Sequence, residues 1–514
     1  MSPSTALKGM SLHANVRARR LFASEPEQWS GMAASMEAGG AVLISVWGAD
    51  ERERDGRFRI LAAYLLPEEL VVVEHALAEG VVRYPDLSGL YPIAGRLQRA
   101  TADLLGIHAD GGDPRGWLRH GGWPETFFPL RRDSASTERF EARSAPYPFV
   151  SVSGEGVHEI PVGPVHAGTI EPGNFRFSVV GEKVLRLEER LGYTHKGVAK
   201  RFEQLSQRDG QRLAARISGD STVAFSWAYC AALEAITGTP VPDRALALRA
   251  VALERERIAN HLGDLGALGN DAGFAFGLAQ FSLLKEDLLR ANAEFLGARY
   301  LLDFVTPGGV ATDLPAEAPQ ALSAGLSTLE QEVRELRRIY DEHAGLQDRF
   351  REAGRLDRDL ARKLGALGLA ARASGIGRDL RVDQPWAPYK ELAPRIAVRS
   401  EGDVAARVQI RFDETLESIR LCRELLERVP SGAIGAPVPE AEAGRLGVGL
   451  IEGWRGPVLI ALQPGAGGGI RRCHAHDPSW QNWPLLEFAI LGNIVPDFPL
   501  INKSFNLSYS GPDG

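Results

Sequence analysis

The residues of this chain whose types and spacing could do chemistry fall in two short hydroxyl-bearing loops. The first, Arg216-Ile217-Ser218-Gly219-Asp220-Ser221, follows a polar turn and opens an apolar segment beginning Thr222-Val223-Ala224-Phe225. The second, Ser504-Phe505-Asn506-Leu507-Ser508-Tyr509-Ser510-Gly511, closes the chain's last stretch. Serine and tyrosine hydroxyls both donate and accept hydrogen bonds, whereas an ionised aspartate only accepts, so such loops suit a polar ligand or a proton. Ser218, Ser221 and Tyr509 are the hydroxyl donors of this set, and Asp220 is its carboxylate. Asp220 has a second reading as the cap of the helix that follows, accepting backbone N–H bonds. Arg216 either faces a partner or makes a local ion pair. His166 reads as a polar lining residue or a structural histidine, and His195 as a structural one. His474 and His476 have a metal-like spacing beside Arg471 and Arg472 but no acidic third ligand, so they are not read as a metal site.

Three cysteines occur, Cys230, Cys422 and Cys473, and no two stand in a CxxC spacing. That pattern gives no disulfide framework and suggests a reducing compartment. It also means that a cluster held by four cysteines cannot be built from this chain alone.

With 514 residues, the chain exceeds what one hydrophobic core organises, so two or three domains are expected. A net charge of −7 provides no basic face for nucleic acid. The arginines Arg17, Arg19 and Arg20 are followed by Ser24-Glu25-Pro26-Glu27 rather than an apolar run, so a cleaved export signal is not expected. No window offers a membrane-spanning apolar run. Any tie to a membrane must come through partners.

The elements that position the loops read as follows. Residues 28–135 form a small α/β unit: strands at Ala41–Trp47, Phe58–Leu66, Leu70–Val73 and Gly80–Tyr84, then a helix over Ile93–Leu105. Residues 134–158 are linker-like in composition. Phe175–Val180 and Val184–Glu188 flank Gly181-Glu182-Lys183 as a β-hairpin. Beyond Tyr193 the spacing predicts helices near 196–208, 222–237, 241–266, 278–304, 316–352 and 404–429. A second hairpin is predicted over Gly444–Leu462, turning at Glu452-Gly453-Trp454-Arg455-Gly456. The Gly-rich run Gly465–Gly469 matches neither a dinucleotide fingerprint nor a P-loop. The fold class is α+β, with domain 1–140, linker 141–158 and a mainly helical domain 159–514 that carries peripheral β-hairpins.

Several motifs in order carry a resemblance. Gly163-Pro164-Val165-His166, Glu171-Pro172-Gly173-Asn174-Phe175-Arg176 and Gly192-Tyr193-Thr194-His195-Lys196-Gly197 are followed by Leu253-Glu254-Arg255-Glu256-Arg257-Ile258 with His261. Trp454-Arg455-Gly456 and Val495-Pro496-Asp497-Phe498-Pro499-Leu500 complete the series. The chain resembles the large subunits shared by nickel–iron hydrogenases and respiratory complex I (the 49 kDa type). Within that group it is most similar to those of formate hydrogenlyase and hydrogenase-4, which carry a 30 kDa-type domain in front. Trp123-Pro124 and Pro129-Leu130-Arg131-Arg132-Asp133 resemble the end of that front domain.

What the resemblance implies is altered by the departures from it. Where the hydrogenases place metal-binding cysteine pairs, this chain has Ser218 and Ser221, then Ser508 and Gly511, and Phe225 replaces a histidine. Nickel and low-spin iron favour soft anionic sulfur, so a nickel–iron centre and hydrogenase activity are not expected. Where complex I uses a histidine and a tyrosine to hold a quinone, this chain has Pro172 and Gly219. Asp271 falls near the carboxylate that supports that histidine. Glu171 matches a glutamate that passes protons in the hydrogenases; its other reading is a capping residue.

The resemblance therefore implies an oxidoreductase subunit on the inner, cytoplasmic face of the cell membrane. Its partners would be an iron–sulfur small subunit and antiporter-like membrane subunits. Electrons would pass from the partner's cluster, with NADH, ferredoxin or formate upstream, to a quinone or another acceptor, coupled to ion translocation. No cofactor is assigned to this chain itself, a quinone being the one candidate. The alternative is a silent scaffold between those same partners.

Overall fold

A computed structural model describes residues 12–135, 137–141, 146–166 and 170–514. The first unit is built on strands β2 (Ala18–Ala23), β3 (Val42–Glu51), β4 (Arg57–Leu65) and β5 (Leu70–Ala76), ordered β2-β5-β4-β3. Strand β1 (Leu12–Ala14) lies outside this sheet. Helix α1 (Pro26–Ala38) follows β2, and α2 (Ala94–Leu105) packs on β3. The close fit of α2 comes from Gly48, where a Cβ would lie 2.5 Å from the Leu105 side chain. β3 is buried along most of its length rather than on alternate positions, because its other side meets the second domain.

That domain opens with β6 (Val157–Val162), β7 (Asn174–Val180) and β8 (Lys183–Arg190), ordered β8-β7-β6 and partly exposed at the surface. Five long helices follow: α3 (Thr222–Thr237), α4 (Asp243–Asp271), α5 (Ala275–Leu296), α6 (Ala318–Glu342) and α7 (Val404–Glu427). Strands β9 (Leu446–Gly453), β10 (Gly456–Pro464) and β11 (Ile470–His476) form an antiparallel sheet, and α8 (Ser479–Ala489) and α9 (Phe498–Phe505) lead to the second loop. The second hairpin is internal: every residue of β9 is buried, covered by α3.

Helix α3 is buried on nearly every side and mostly apolar, and its one carboxylate, Glu234, is paired with Arg249 (2.6 and 3.0 Å). Its seating on β9 is written in small residues. Gly447, Gly449 and Gly453 meet Ala232, Ala228 and Ala224, which recur every fourth residue along one side of α3. A Cβ at Gly449 would fall 1.8 Å from the Ala228 carbonyl oxygen. Because α3 has no freedom to rotate or slide on this sheet, the Ser218–Ser221 loop at its N-terminus is fixed as well.

Several sequence expectations shift. Residues 80–84 contribute only a short strand at Arg83–Pro85, and 196–208 only a short helix at Val198–Phe202. Beyond it the Ser206 hydroxyl bonds Asp209 (2.7 Å), a local competitor to helix. The helix expected over 316–352 breaks at His343, whose Nδ1 accepts the Leu346 N–H and starts a new helix. The expected 278–304 helix stops at Leu296 because Gly297 turns left-handed (φ 87°). The second hairpin gains β11, and β1 pairs in parallel with β9 of the other domain. The two domains are also joined by side chains: Ser45 bonds His474 (2.8 Å), and Gln481 donates to the carbonyls of Leu43 and Ile44.

Candidate functional site

The two serine loops meet. Ser218 and Ser508, both buried, place their hydroxyl oxygens 2.9 Å apart. Ser218 donates its one hydroxyl hydrogen to Asp220 Oδ1 (2.8 Å), so Ser508 must be the donor between the serines. Ser508 Oγ also accepts the Gly511 N–H (2.9 Å), and the Ser510 hydroxyl lies at the edge of reach, 3.5 Å away. The Ser510 N–H donates to Glu171 Oε2 (3.1 Å). A directed row thus runs Ser508 to Ser218 to Asp220, with Glu171 holding the backbone at its far end.

Asp220 is fixed by the turn between β9 and β10. Arg455 grips its carboxylate with two bonds (2.8 and 2.6 Å) and also donates to the Asn506 carbonyl (2.6 Å), which ties the first loop to the second. The indole N–H of Trp454 and the amide of Asn260 both donate to the Asp220 carbonyl (2.8 Å each). Burial alone would push the Asp220 carboxyl up; the adjacent Arg455 guanidinium outweighs this and holds it below the usual carboxylate range. The Asp220 side chain is still 39% exposed, and Gly219 beside it is exposed. This edge is where the hydroxyl row meets solvent.

The expected roles sort out in space. Asp220 does not cap α3. The first amides of that helix, Val223 and Ala224, donate to Glu256 on α4 (2.6 and 3.2 Å). Burial pushes the Glu256 carboxyl up to about 8. Ser221 sits at the N-cap position, buried, but its side chain caps nothing. Arg216 pairs locally with Asp303 (2.7 and 2.8 Å). His166 bonds the Gly173 carbonyl (2.7 Å), which stiffens the Glu171 loop. Tyr509 is packed on Trp483 (ring centroids 4.8 Å) and leaves no room for a side chain at Gly173, and its buried hydroxyl bonds neither serine. Asp271 is exposed at the end of α4 and bonds neither loop. The α4 acid that reaches the second loop is Asp264, two turns earlier, which accepts from Asn506 (2.6 Å) and Arg411 (2.9 Å). His195 bonds the Asp513 carbonyl, while His474 and His476 are taken up by Ser45 and Gln481.

Sequence reading missed Arg455, Asn506, Asp264 and Glu256 as site residues. An arginine in a tight turn is ordinary in a sequence; only the fold shows that it is 5% exposed and aimed at a carboxylate.

A nickel–iron centre does not fit this donor set. Hydroxyls are hard and stay protonated near neutral pH, and those of Ser218 and Ser508 are already bonded to each other. At Gly511 even a Cβ would lie 2.6 Å from Asp477 Cγ. Among the described residues, no group of three or more His, Cys, Asp or Glu side chains is arranged to hold a metal ion. Nor is any helix among them long and apolar enough to cross a membrane.

Comparison with known proteins gives two family matches in one chain. Residues 22–140 match the respiratory-chain NADH dehydrogenase 30 Kd subunit, and 271–447 the 49 Kd subunit. Formate hydrogenlyase subunit 5 of Escherichia coli is 29% identical, covering 92% of this chain and 85% of that protein. The carbon monoxide-induced hydrogenase of Rhodospirillum rubrum is 31% identical, covering 68% of this chain and 97% of that protein. Among solved structures, a chain of the archaeal membrane-bound sulfane sulfur reductase superposes with a TM-score of 0.66 at 24% identity, covering 70% of this chain and 99% of that one. The chain therefore belongs to the family of large subunits that membrane-bound hydrogenases share with the 49 Kd subunit of respiratory-chain NADH dehydrogenase, with the 30 Kd unit fused in front.

Proposed function

We propose that this chain is the electron-transfer large subunit of a membrane-associated oxidoreductase complex and that it works without a nickel–iron centre. An iron–sulfur subunit would dock at the exposed Gly219–Asp220 edge and deliver electrons to a quinone or another small acceptor there. Antiporter-like membrane subunits would couple that step to ion movement. The observation that carries this reading is the serine–serine–aspartate row. It replaces the metal's ligands with groups that conduct and orient protons, as reduction of an organic or sulfur acceptor requires. Glu171 anchors one end of the row, and Asp220, kept ionised by Arg455, accepts at the other. A sulfane-sulfur acceptor deserves testing beside quinones, because the superposed archaeal complex reduces that class.

The test uses the complex purified with its partners and supplied with reduced ferredoxin, NADH or formate. Quinone or polysulfide reduction is expected, without stoichiometric nickel. S218A and D220N should each slow it by roughly 10²-fold while the subunits stay assembled. Failure to reduce any acceptor counts against the reading, and stoichiometric nickel overturns it.

One observation favours the scaffold alternative. The loops satisfy each other's hydrogen bonds completely enough to be a purely structural clasp. On that reading, alanine at Glu171, Asp220 and Asp271 leaves the complex working.

A further inference from the structure

Beneath the serine loops lies a buried cluster whose charges do not balance. Glu254, Asp379, Glu414 and Glu452 supply four carboxyls, none more than 3% exposed. Arg257, Arg372 and Arg381, equally buried, supply three guanidiniums. Arg381 bonds Asp379 (2.7 Å) and Glu254 (3.0 Å), and Arg257 lies 3.4 Å from Glu254. Arg372 bridges Glu414 (2.7 Å) and Glu452 (3.0 Å). The guanidiniums cannot release their protons. With all four carboxyls ionised, the cluster would hold one unmatched negative charge away from water, a strongly disfavoured state. One proton therefore belongs to the cluster.

Glu452 is the group placed to carry it. Glu452 accepts the Leu380 N–H (3.2 Å) and faces Arg372 and Asp379, with Arg257 and Arg381 behind. Its burial, opposed by those arginines, pushes its carboxyl up to about 7. His261 on α4 places Nε2 2.8 Å from Glu414 Oε2, but its burial, with Arg257 and Arg411 nearby, holds the imidazole below its ordinary value, so it does not compete for that proton. Its Nδ1 is buried and has no hydrogen-bond partner. The two groups face different surroundings. Glu452 lines a cleft of about 680 Å³ between the two domains, whose wall also carries the Arg378–Asp383 pair. The His261 ring meets Trp454 edge-on (6.0 Å), and that indole holds the Asp220 carbonyl.

We infer that this cluster is a one-proton store, filled from and emptied to the interdomain cleft at Glu452. Filling adds one proton from water to the Glu452 carboxylate and cancels the surplus charge. Release returns that proton to the cleft and leaves Glu452 ionised. It also restores the surplus negative charge, which draws the next proton from the cleft. No electron moves in any of these steps. The store does not depend on the function proposed above.

The store is tested on the intact chain by potentiometric titration, with the infrared band of protonated carboxyls recorded alongside. Wild type should bind about one proton more than E452Q between pH 6 and 8, and E452Q should lose part of the carboxyl band that titrates there, the remainder being Glu256 and removed by E256Q. H261Q should keep that band. Identical titrations of folded wild type and E452Q overturn the store. Should E452Q not fold, Glu452→Asp keeps the carboxyl and must shift the midpoint of the band; an unshifted midpoint has the same meaning.

Discussion

The Asp220–Arg455 pair is the joint on which both loops depend, and its strength can be worked out from its surroundings. Arg455 is 5% exposed on its side chain, while Asp220 is 39% exposed. Removing one partner of a fully buried pair costs about 3–5 kcal/mol, because a charge is left stranded. Water reaching Asp220 screens part of that, so D220N should cost about 2–3 kcal/mol. R455M strands the partner that water can reach, and should cost about 1–2 kcal/mol. The double variant strands neither charge. It should cost about 2 kcal/mol rather than the sum, a coupling of roughly 1–3 kcal/mol between the sites. Urea unfolding of wild type, both single variants and the double variant measures the cycle. Amide exchange at Ser508–Gly511 gives an independent readout, because Arg455 also holds the Asn506 carbonyl. Single costs that add to within about 0.5 kcal/mol would show that the pair is not coupled, and the reasoning would fail.

Other outcomes follow from the same geometry. Glu256 is a carboxyl whose folded value is raised above its unfolded one, so its stabilising effect is full below about pH 4.3 and is lost as pH rises through about 8. E256Q should flatten the stability profile over that window, as thermal melts at successive pH values would show. G511A should destabilise the chain by about 1–3 kcal/mol, since the new Cβ meets Asp477 at 2.6 Å; a neutral melting temperature would contradict the packing. Cysteine at Ser218, Ser221, Ser508 and Gly511 together should not recruit nickel, as elemental analysis can check, for the same steric reason at Gly511. G449A should abolish soluble expression or cost well over about 3 kcal/mol, because its Cβ would overlap the Ala228 carbonyl.

What the sequence disclosed depended on whether the signal was local. Long helices with sustained apolar spacing, such as α3, α4 and α7, were legible, as was the hairpin turning at Gly181. Helix boundaries set by one residue, at Gly297 and His343, were not. Nor was β11, whose paired arginines and two histidines look solvated until the other domain covers them. The pairing of the two loops was legible only through the family resemblance. That Ser218 touches Ser508 is a product of tertiary structure. Asp220 illustrates the limit: its position suggested a helix cap, but the amides it was expected to satisfy went to Glu256, a residue on another helix. Charge balance is the least legible of all, since Glu254, Asp379, Glu414 and Glu452 are scattered over some 200 residues of sequence.

Strand β1 adds its three residues to the edge of the sheet that underlies α3, although it precedes the front domain in the chain. The front domain is therefore sewn to its neighbour on both sides, by this strand before it and by the Ser45 and Gln481 contacts within it. Covalent fusion replaces a bimolecular encounter with an intramolecular one at high effective concentration. Here the stitching goes further. The contacts of β1, Ser45 and Gln481 join the units independently of the 141–158 connection, so what the family descriptions call a 30 Kd and a 49 Kd subunit are held here at several points at once.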